Sequence, residues 1–363
     1  MNRLVILGAA GNFGARIVRA FAQTPGVEVI AAGRSGRSVA DAPQVTVAAL
    51  NMDSVSLAQE LQALQPDVVV HCVGPFQGQD YRVARASLAA GAHYIDLADG
   101  RQFVAHFGSA LDSQANAAGR MAVSGASTLP ALSSAVVDAL VRDGLSPEVI
   151  EIAIAPGQRA PRGAATLQAV FSYLGRPVQV WEDGKWRQRT GWMDLRRMPL
   201  AFGSRWAALC DVPDLTLFPE RYSPVRTVRF HAALEFGAQH AALWCLAGLV
   251  RMGIALPVDR WCGALERMAG QFDRFGGPWG GMRISVVGKA PSGHRLRRTW
   301  QLAVPALSGP EIPCLAAILL ARRLLSGERM PLGARACMGL LALEDFSPMF
   351  EQWNIRTEIR EEV

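Results

Sequence analysis

Short apolar runs alternate with amphipathic stretches along residues 1–130, and each pair reads as a strand followed by a helix. Arg3–Leu7 is the first such run, and Val27–Ala32, Val45–Ala49, Asp67–Val73, His93–Leu97 and Arg120–Ser124 follow it. The fourth is apolar almost throughout, as a strand covered on both faces should be. Between these runs, Ala15–Phe21 has helical spacing. Asp53-Ser54 offers a cap for a helix that carries Leu57, Leu61 and Leu64. Residues 80–90 and 102–118 read as two further helices. Six strands separated by helices predict an α/β fold with a doubly wound parallel sheet of the Rossmann type.

Beyond Gly125 the period changes. Leu132–Val141 reads as a helix, and strand-like alternation then dominates. It covers Val149–Ile154, Val178–Trp181 turning at Asp183-Gly184, and Thr227–Ala232. Arg283–Gly288 and Arg295–Val304 read as a hairpin across Pro291-Ser292-Gly293. Helical patterns occupy 163–175, 238–253 and 258–271. The expectation is a second, α+β domain with a largely antiparallel sheet. Pro313–Leu325 is a strong helical pattern placed to bring the chain back to the first domain. The predicted division is a nucleotide-binding domain over 1–130, completed by 310–350, and a substrate domain over 131–309.

Composition narrows the class. Half of the 363 residues are apolar and 19% are charged, which suits a well-packed globular enzyme. The net charge of +6 is dispersed, so no nucleic-acid surface is expected. The longest apolar stretch, Ala241–Val258, is interrupted by Arg251 and Pro257, which argues against a membrane span. The six cysteines are widely spaced and fit neither a zinc site nor a disulfide framework. With a strand opening at residue 3, the expectation is a cytoplasmic protein without a leader and without a metal.

The sharpest motif follows the first strand. Gly8, Ala10, Gly11, Asn12, Phe13 and Gly14 form a G-x-x-G-x-x-G turn leading into a helix. Gly8 permits a sharp turn, Gly11 leaves room for pyrophosphate, and Gly14 allows the helix to pack closely. The helix N-terminus offers unpaired amides and a partial positive charge to phosphate. An NAD site would usually end the second strand with an acid. Here the chain reads Gly33-Arg34-Ser35-Gly36-Arg37, so Arg34, Ser35 and Arg37 suit a 2′-phosphate and NADP is expected over NAD. Asp53 is a candidate neighbour of the adenine. Val73, Gly74, Pro75 and Phe76 break the fourth strand and are expected to line the nicotinamide end.

His71–Gln79 and Gly91–Gly100, together with the glycine turn, resemble the nucleotide-domain core of the saccharopine dehydrogenase-like oxidoreductases. Gly309–Pro313 and Gly333–Cys337 resemble the segments with which bacterial members close the chain. The resemblance implies a nicotinamide cofactor, an α/β second domain used for dimerisation, hence a homodimer, and oxidation of an amine or reduction of an imine. One branch instead reduces enoyl groups of lipid intermediates. Residues 125–133 lack the acidic segment of saccharopine-forming enzymes, which implies a different small-molecule substrate.

Hydride transfer needs a group that exchanges a proton or steadies charge. Asp96 and Asp99 end the fifth strand on the face where the reactive ring is expected, and they are the candidate catalytic pair. Gly276–Gly281, with Trp279 between glycines, is a candidate lid. The leading expectation is NADP(H)-dependent hydride transfer at a C–N bond of an amino-acid-like or polyamine-like substrate. The alternatives are reduction of an enoyl or carbonyl group on a hydrophobic substrate, and a nucleotide-binding sensor or scaffold without turnover.

Overall fold

The computed structural model describes residues 1–34, 36, 42–254 and 258–362. The chain divides into two units, 1–132 with 311–341, and 133–310 with 342–363.

In the first unit β1 (Asn2–Leu7), β2 (Val27–Gly33), β3 (Val45–Ala49), β4 (Val68–His71), β5 (His93–Asp96) and β6 (Met121–Ser124) match the six expected strands. A seventh strand, Gly333–Ala336, pairs in parallel with β6, and all neighbours in the sheet are parallel. The spatial order is Gly333–Ala336, β6, β5, β4, β1, β2, β3. The order reverses between β1 and β4, and that crevice is where doubly wound sheets take ligands. Leu4, Val5, Ile6, Leu7, Val69 and Val70 are fully buried, so the strands beside the crevice form the rigid core of this unit.

The helices α1 (Gly14–Phe21), α2 (Leu57–Leu64), α3 (Arg82–Ala89) and α4 (Arg101–Ala117) connect the strands. Ile17, Val18 and Phe21 form the buried stripe of α1. The cap of α2 differs from the expectation, because the helix starts after Ser56 rather than at Asp53-Ser54. The hydroxyls of Ser54 and Ser56 both donate to Glu60 Oε1, at 2.8 and 2.5 Å, which draws the start of the helix forward. Helix Ile312–Leu325 also belongs to this unit.

The second unit holds a nine-stranded sheet. Its main path runs Arg196–Leu200, Gly203–Leu209, Thr227–Ala233, Ser146–Ala155, Trp279–Lys289, Arg295–Pro305, Arg356–Glu362. Among the described residues of this sheet, only Thr227–Ala233 and Ser146–Ala155 pair in parallel. The hairpin expected across Pro291-Ser292-Gly293 is present. A second hairpin, Pro177–Glu182 with Lys185–Thr190, joins through Trp181 and Val228. Helix Ser133–Val141 packs on the central strands, where Ile150, Ile152, Ile284 and Val286 are buried.

Residues 342–350 fall in the second unit rather than the first, where they had been expected. The chain leaves the parallel sheet after Gly333–Ala336 and ends as an edge strand on Arg295–Pro305. The expected lid is also corrected. Gly280 and Gly281 lie inside strand Trp279–Lys289, and a Cβ on Gly280 would stand 2.6 Å from Gly157 N. These glycines serve close backbone approach rather than hinge motion.

Candidate active site

The glycine turn sits at the carboxyl end of β1. Gly8 has φ +81°, a left-handed conformation that favours glycine, and a Cβ there would stand 2.7 Å from Val73 Cγ2. The turn after β1 and the turn after β4 are therefore packed against each other across the switch point. Gly11 N–H donates to Gly8 O at 2.9 Å, which tightens the turn. Gly14 carries the closest approach, since a Cβ there would overlap the Gly8 carbonyl and stand 2.9 Å from Ala9 Cα. Ala10 and Gly11 are exposed over the turn.

Helix α1 opens on this turn with no side-chain cap and no acid in its first turn. Among the described residues the amides of Phe13 and Gly14 have no backbone acceptor. Uncapped amides at a helix N-terminus fit a pyrophosphate. Arg16 holds Asn12 in place, donating to its carbonyl and to Oδ1 at 2.5 and 2.6 Å. The same guanidinium pairs with Glu311 at 2.9 Å, and both side chains are nearly buried. Arg16 and Glu311 were not among the sequence candidates, and 295 positions separate them in the chain.

At the end of β2, Arg34 is exposed and makes no hydrogen bond or ion pair with the described residues. Ser35 and Arg37, the other members of the expected 2′-phosphate group, lie outside the described residues. Asp53 is exposed and pairs with Arg82 at 3.4 Å.

After β4, Gln79 donates from Nε2 to the carbonyls of Val73 and Pro75, at 2.9 and 2.7 Å. These bonds fix the Val73–Gly74–Pro75 turn. Phe76 had been expected to line the cofactor, but its ring is buried against His71 and Phe103, so only its backbone borders the turn. Gly100 packs under that backbone, since a Cβ there would stand 3.1 Å from Phe76 O. The start of α4 and the turn after β4 are thus in contact.

The two aspartates differ in kind. Asp96 is fully buried. Its Oδ1 accepts from Ala98 N at 2.9 Å, Gly125 N at 2.8 Å and Ser124 Oγ at 3.0 Å. It thereby ties the end of β5 to the end of β6. Burial pushes its pKa up to about 6, against the pull of those hydrogen bonds. Tyr94, whose hydroxyl lies 2.9 Å from His71 Nδ1, belongs to the same buried group. Burial lowers the His71 pKa to about 3, so its imidazole is neutral.

Asp99 is largely but not fully covered, three residues further on at the entry to α4. Its Oδ1 accepts from Gln77 Nε2 at 3.3 Å. Burial raises its pKa from the ordinary carboxyl value, against the pull of the Gln77 hydrogen bond. Gln77 Oε1 is buried without a partner, which leaves an acceptor at the edge of the β4 turn for a donor from a ligand. Gln77 and Gln79 stand in the Phe76–Gln79 stretch that carried the family resemblance, yet their roles depend on the folded turn.

Comparison with known proteins agrees with this geometry. Residues 4–123 match the family model of the saccharopine dehydrogenase NADP binding domain. No curated protein matches the sequence. Among solved structures, saccharopine dehydrogenase (L-Glu forming) from Saccharomyces cerevisiae is similar with a TM-score of 0.67 at 13% identity, over 100% of both chains. Homospermidine synthase from Legionella pneumophila, solved with NAD, is similar with a TM-score of 0.62 at 11% identity, over 99% of this chain and 91% of that one. The family likeness thus covers residues 4–123, and over the whole chain the two structures show a shared fold.

Proposed function

We propose that this protein is an NADP(H)-dependent oxidoreductase that acts at a C–N bond of an amino-acid-like or polyamine-like substrate. The observation that carries the reading is the pair of turns at the switch point, with the uncapped start of α1 on one side and the Gln79-fixed turn on the other. The family match over 4–123 and the folds of saccharopine dehydrogenase and homospermidine synthase support it. A β2 end with Arg34 and no acid supports NADP over NAD.

In this reading a bound nicotinamide supplies the hydride chemistry. The chain does the rest. The Phe13 and Gly14 amides bind phosphate oxygens, and Arg34 binds the 2′-phosphate, assisted by Ser35 and Arg37. Asp53 borders the adenine. The turn of Val73, Gly74, Pro75 and Phe76 keeps side chains out of the reactive ring's approach and excludes water. Asp99 binds a substrate ammonium or exchanges a proton with it, since it is partly accessible and its raised pKa brings it nearer to neutral pH. Asp96 positions the loops after β5 and β6 and does not touch substrate. The free thiols among the described cysteines suit a reducing cytoplasm, and exposed Trp244 and Phe275 on the second unit suit burial in a homodimer.

The test is NADPH consumption over a panel of 2-oxo acids paired with amines, beside enoyl thioesters and hydrophobic ketones. Turnover confined to the oxo acid and amine pairs supports the reading. Turnover confined to the other two groups contradicts it.

A further inference from the structure

The second unit carries a charged sheet face that the redox reading does not use. Register sets Arg229 beside Glu151 and Glu151 beside Ser285, so the three share one face, and Arg297 opposite Val287 lies on it as well. A cavity of about 340 Å³ opens there, at the lower end of the size range of small-molecule sites. Its lining includes Arg189, Arg196, Arg229 and Arg251, with the carboxylates of Glu182 and Asp194.

The arginines outnumber the acids, and each acid is shared. Glu182 accepts from Arg189 at 2.5 Å and from Arg229 at 3.3 Å. Asp194 accepts from Arg196 at 3.3 Å and faces His231 Nε2 at 3.4 Å. Glu151 stands within 4.0 Å of Arg196, Arg229 and Arg297. Arg251 has no carboxylate partner among the described residues, and its guanidinium reaches only Met193 Sδ, at 3.8 Å.

The same face carries a further arginine outside the cavity lining. Arg283 lies on this face two residues from Ser285 and is 8% exposed. It makes no hydrogen bond or ion pair with the described residues. Opposite it, Gln301 Oε1 is buried without a partner. Burial lowers the Arg283 pKa, opposed by the nearby carboxylates of Glu151 and Glu362. A desolvated guanidinium without a direct hydrogen-bond acceptor is costly, and its fork matches the paired oxygens of carboxylate and phosphate.

We propose that the cavity lined by Arg189, Arg196, Arg229 and Arg251 binds a small polyanion, a metabolite with two or more carboxylate or phosphate groups. Glu182 and Asp194 hold the guanidinium forks in place, and Arg251 closes on the ligand from the rim. The proposal stands independently of the redox reading.

Calorimetric titration of the full chain tests it, with citrate and inorganic pyrophosphate as separate probes. Saturable binding of at least one, weakened about tenfold or more in Arg251→Ala and in Arg196→Ala, is the expected result. The tighter probe identifies the group as carboxylate or phosphate. Arg251 is exposed at a helix end, so its variant decides the matter if Arg196→Ala fails to fold. Equal binding by wild type and Arg251→Ala, or no saturable binding of either probe, overturns the proposal.

Discussion

In the first unit, Leu4–Leu7 of β1 and the whole of β4 are buried, and the two strands commit these side chains to the core. What they offer a ligand lies at their carboxyl ends, as backbone amides, glycines without Cβ and carbonyls fixed by Gln79. In the second unit, the mixed sheet buries one side through Ile150, Ile152 and Ile284 and keeps the other for Glu151, Arg229 and Ser285. There the chemistry lies on the strand faces and is carried by side chains. A backbone site tolerates almost no added volume but little depends on any one polar group. A side-chain site tolerates truncation sterically and loses function one charge at a time.

The largest effect expected from that contrast is at Gly14. Gly14→Val forces a side chain into the Gly8 carbonyl, and a backbone overlap cannot be relieved by changing rotamer. We expect saturable NADPH binding to be lost and the melting temperature to fall by roughly 10 °C. By contrast Arg297→Ala, on the charged face of the second unit, should move the melting temperature by no more than about 2 °C. A Gly14→Val variant that binds NADPH normally would break the comparison.

Next in size is Asp99. Asp99→Asn should lower kcat by roughly 100-fold and leave NADPH affinity unchanged, because the residue is placed to meet substrate rather than cofactor. The limb of the pH profile that belongs to this carboxyl should vanish with it. Full turnover in the variant would remove Asp99 from the chemistry.

Asp96 gives the smaller, thermodynamic signal. Its folded pKa of about 6 stands above its ordinary value of 3.8, so the folded state holds the proton more tightly. Its contribution to stability is greatest below 3.8 and declines as pH rises through about 6, by about 3 kcal/mol in all. Asp96→Asn lacks this slope. Urea unfolding at pH 4.5 and pH 7 should therefore show the variant gaining on the wild type at pH 7 relative to pH 4.5. An identical pH dependence in both proteins would show that the buried carboxyl is not perturbed.

The first unit was legible because its signals are local. Apolar runs such as Val68–Val70 and the glycine turn announce themselves within a few residues. The seventh strand was not foreseen, since Gly333–Ala336 is short, carries Arg335, and owes its place to pairing with distant β6. Arg196–Leu200 and Lys185–Thr190 were missed for a related reason. Both are rich in charge, and their strand conformation comes from neighbours rather than from propensity. In the site, spacing alone presented Asp96 and Asp99 as a pair. Only the fold shows that one is fully buried and engaged by three hydrogen bonds and the other keeps some exposure. The Arg16–Glu311 pair depends on a tertiary contact that no local pattern encodes, and the Gln79 bonds, though local, exist only in the folded turn.

The central claim is that the turns after β1, β2 and β4 hold NADP(H). Titration of the purified protein with NADPH and separately with NADH, followed by nicotinamide fluorescence, tests it most directly. The account predicts saturable binding with NADPH preferred at least about tenfold, and that preference lost in Arg34→Ala. Equal or tighter binding of NADH would contradict the 2′-phosphate assignment, and binding of neither would contradict the dinucleotide site itself.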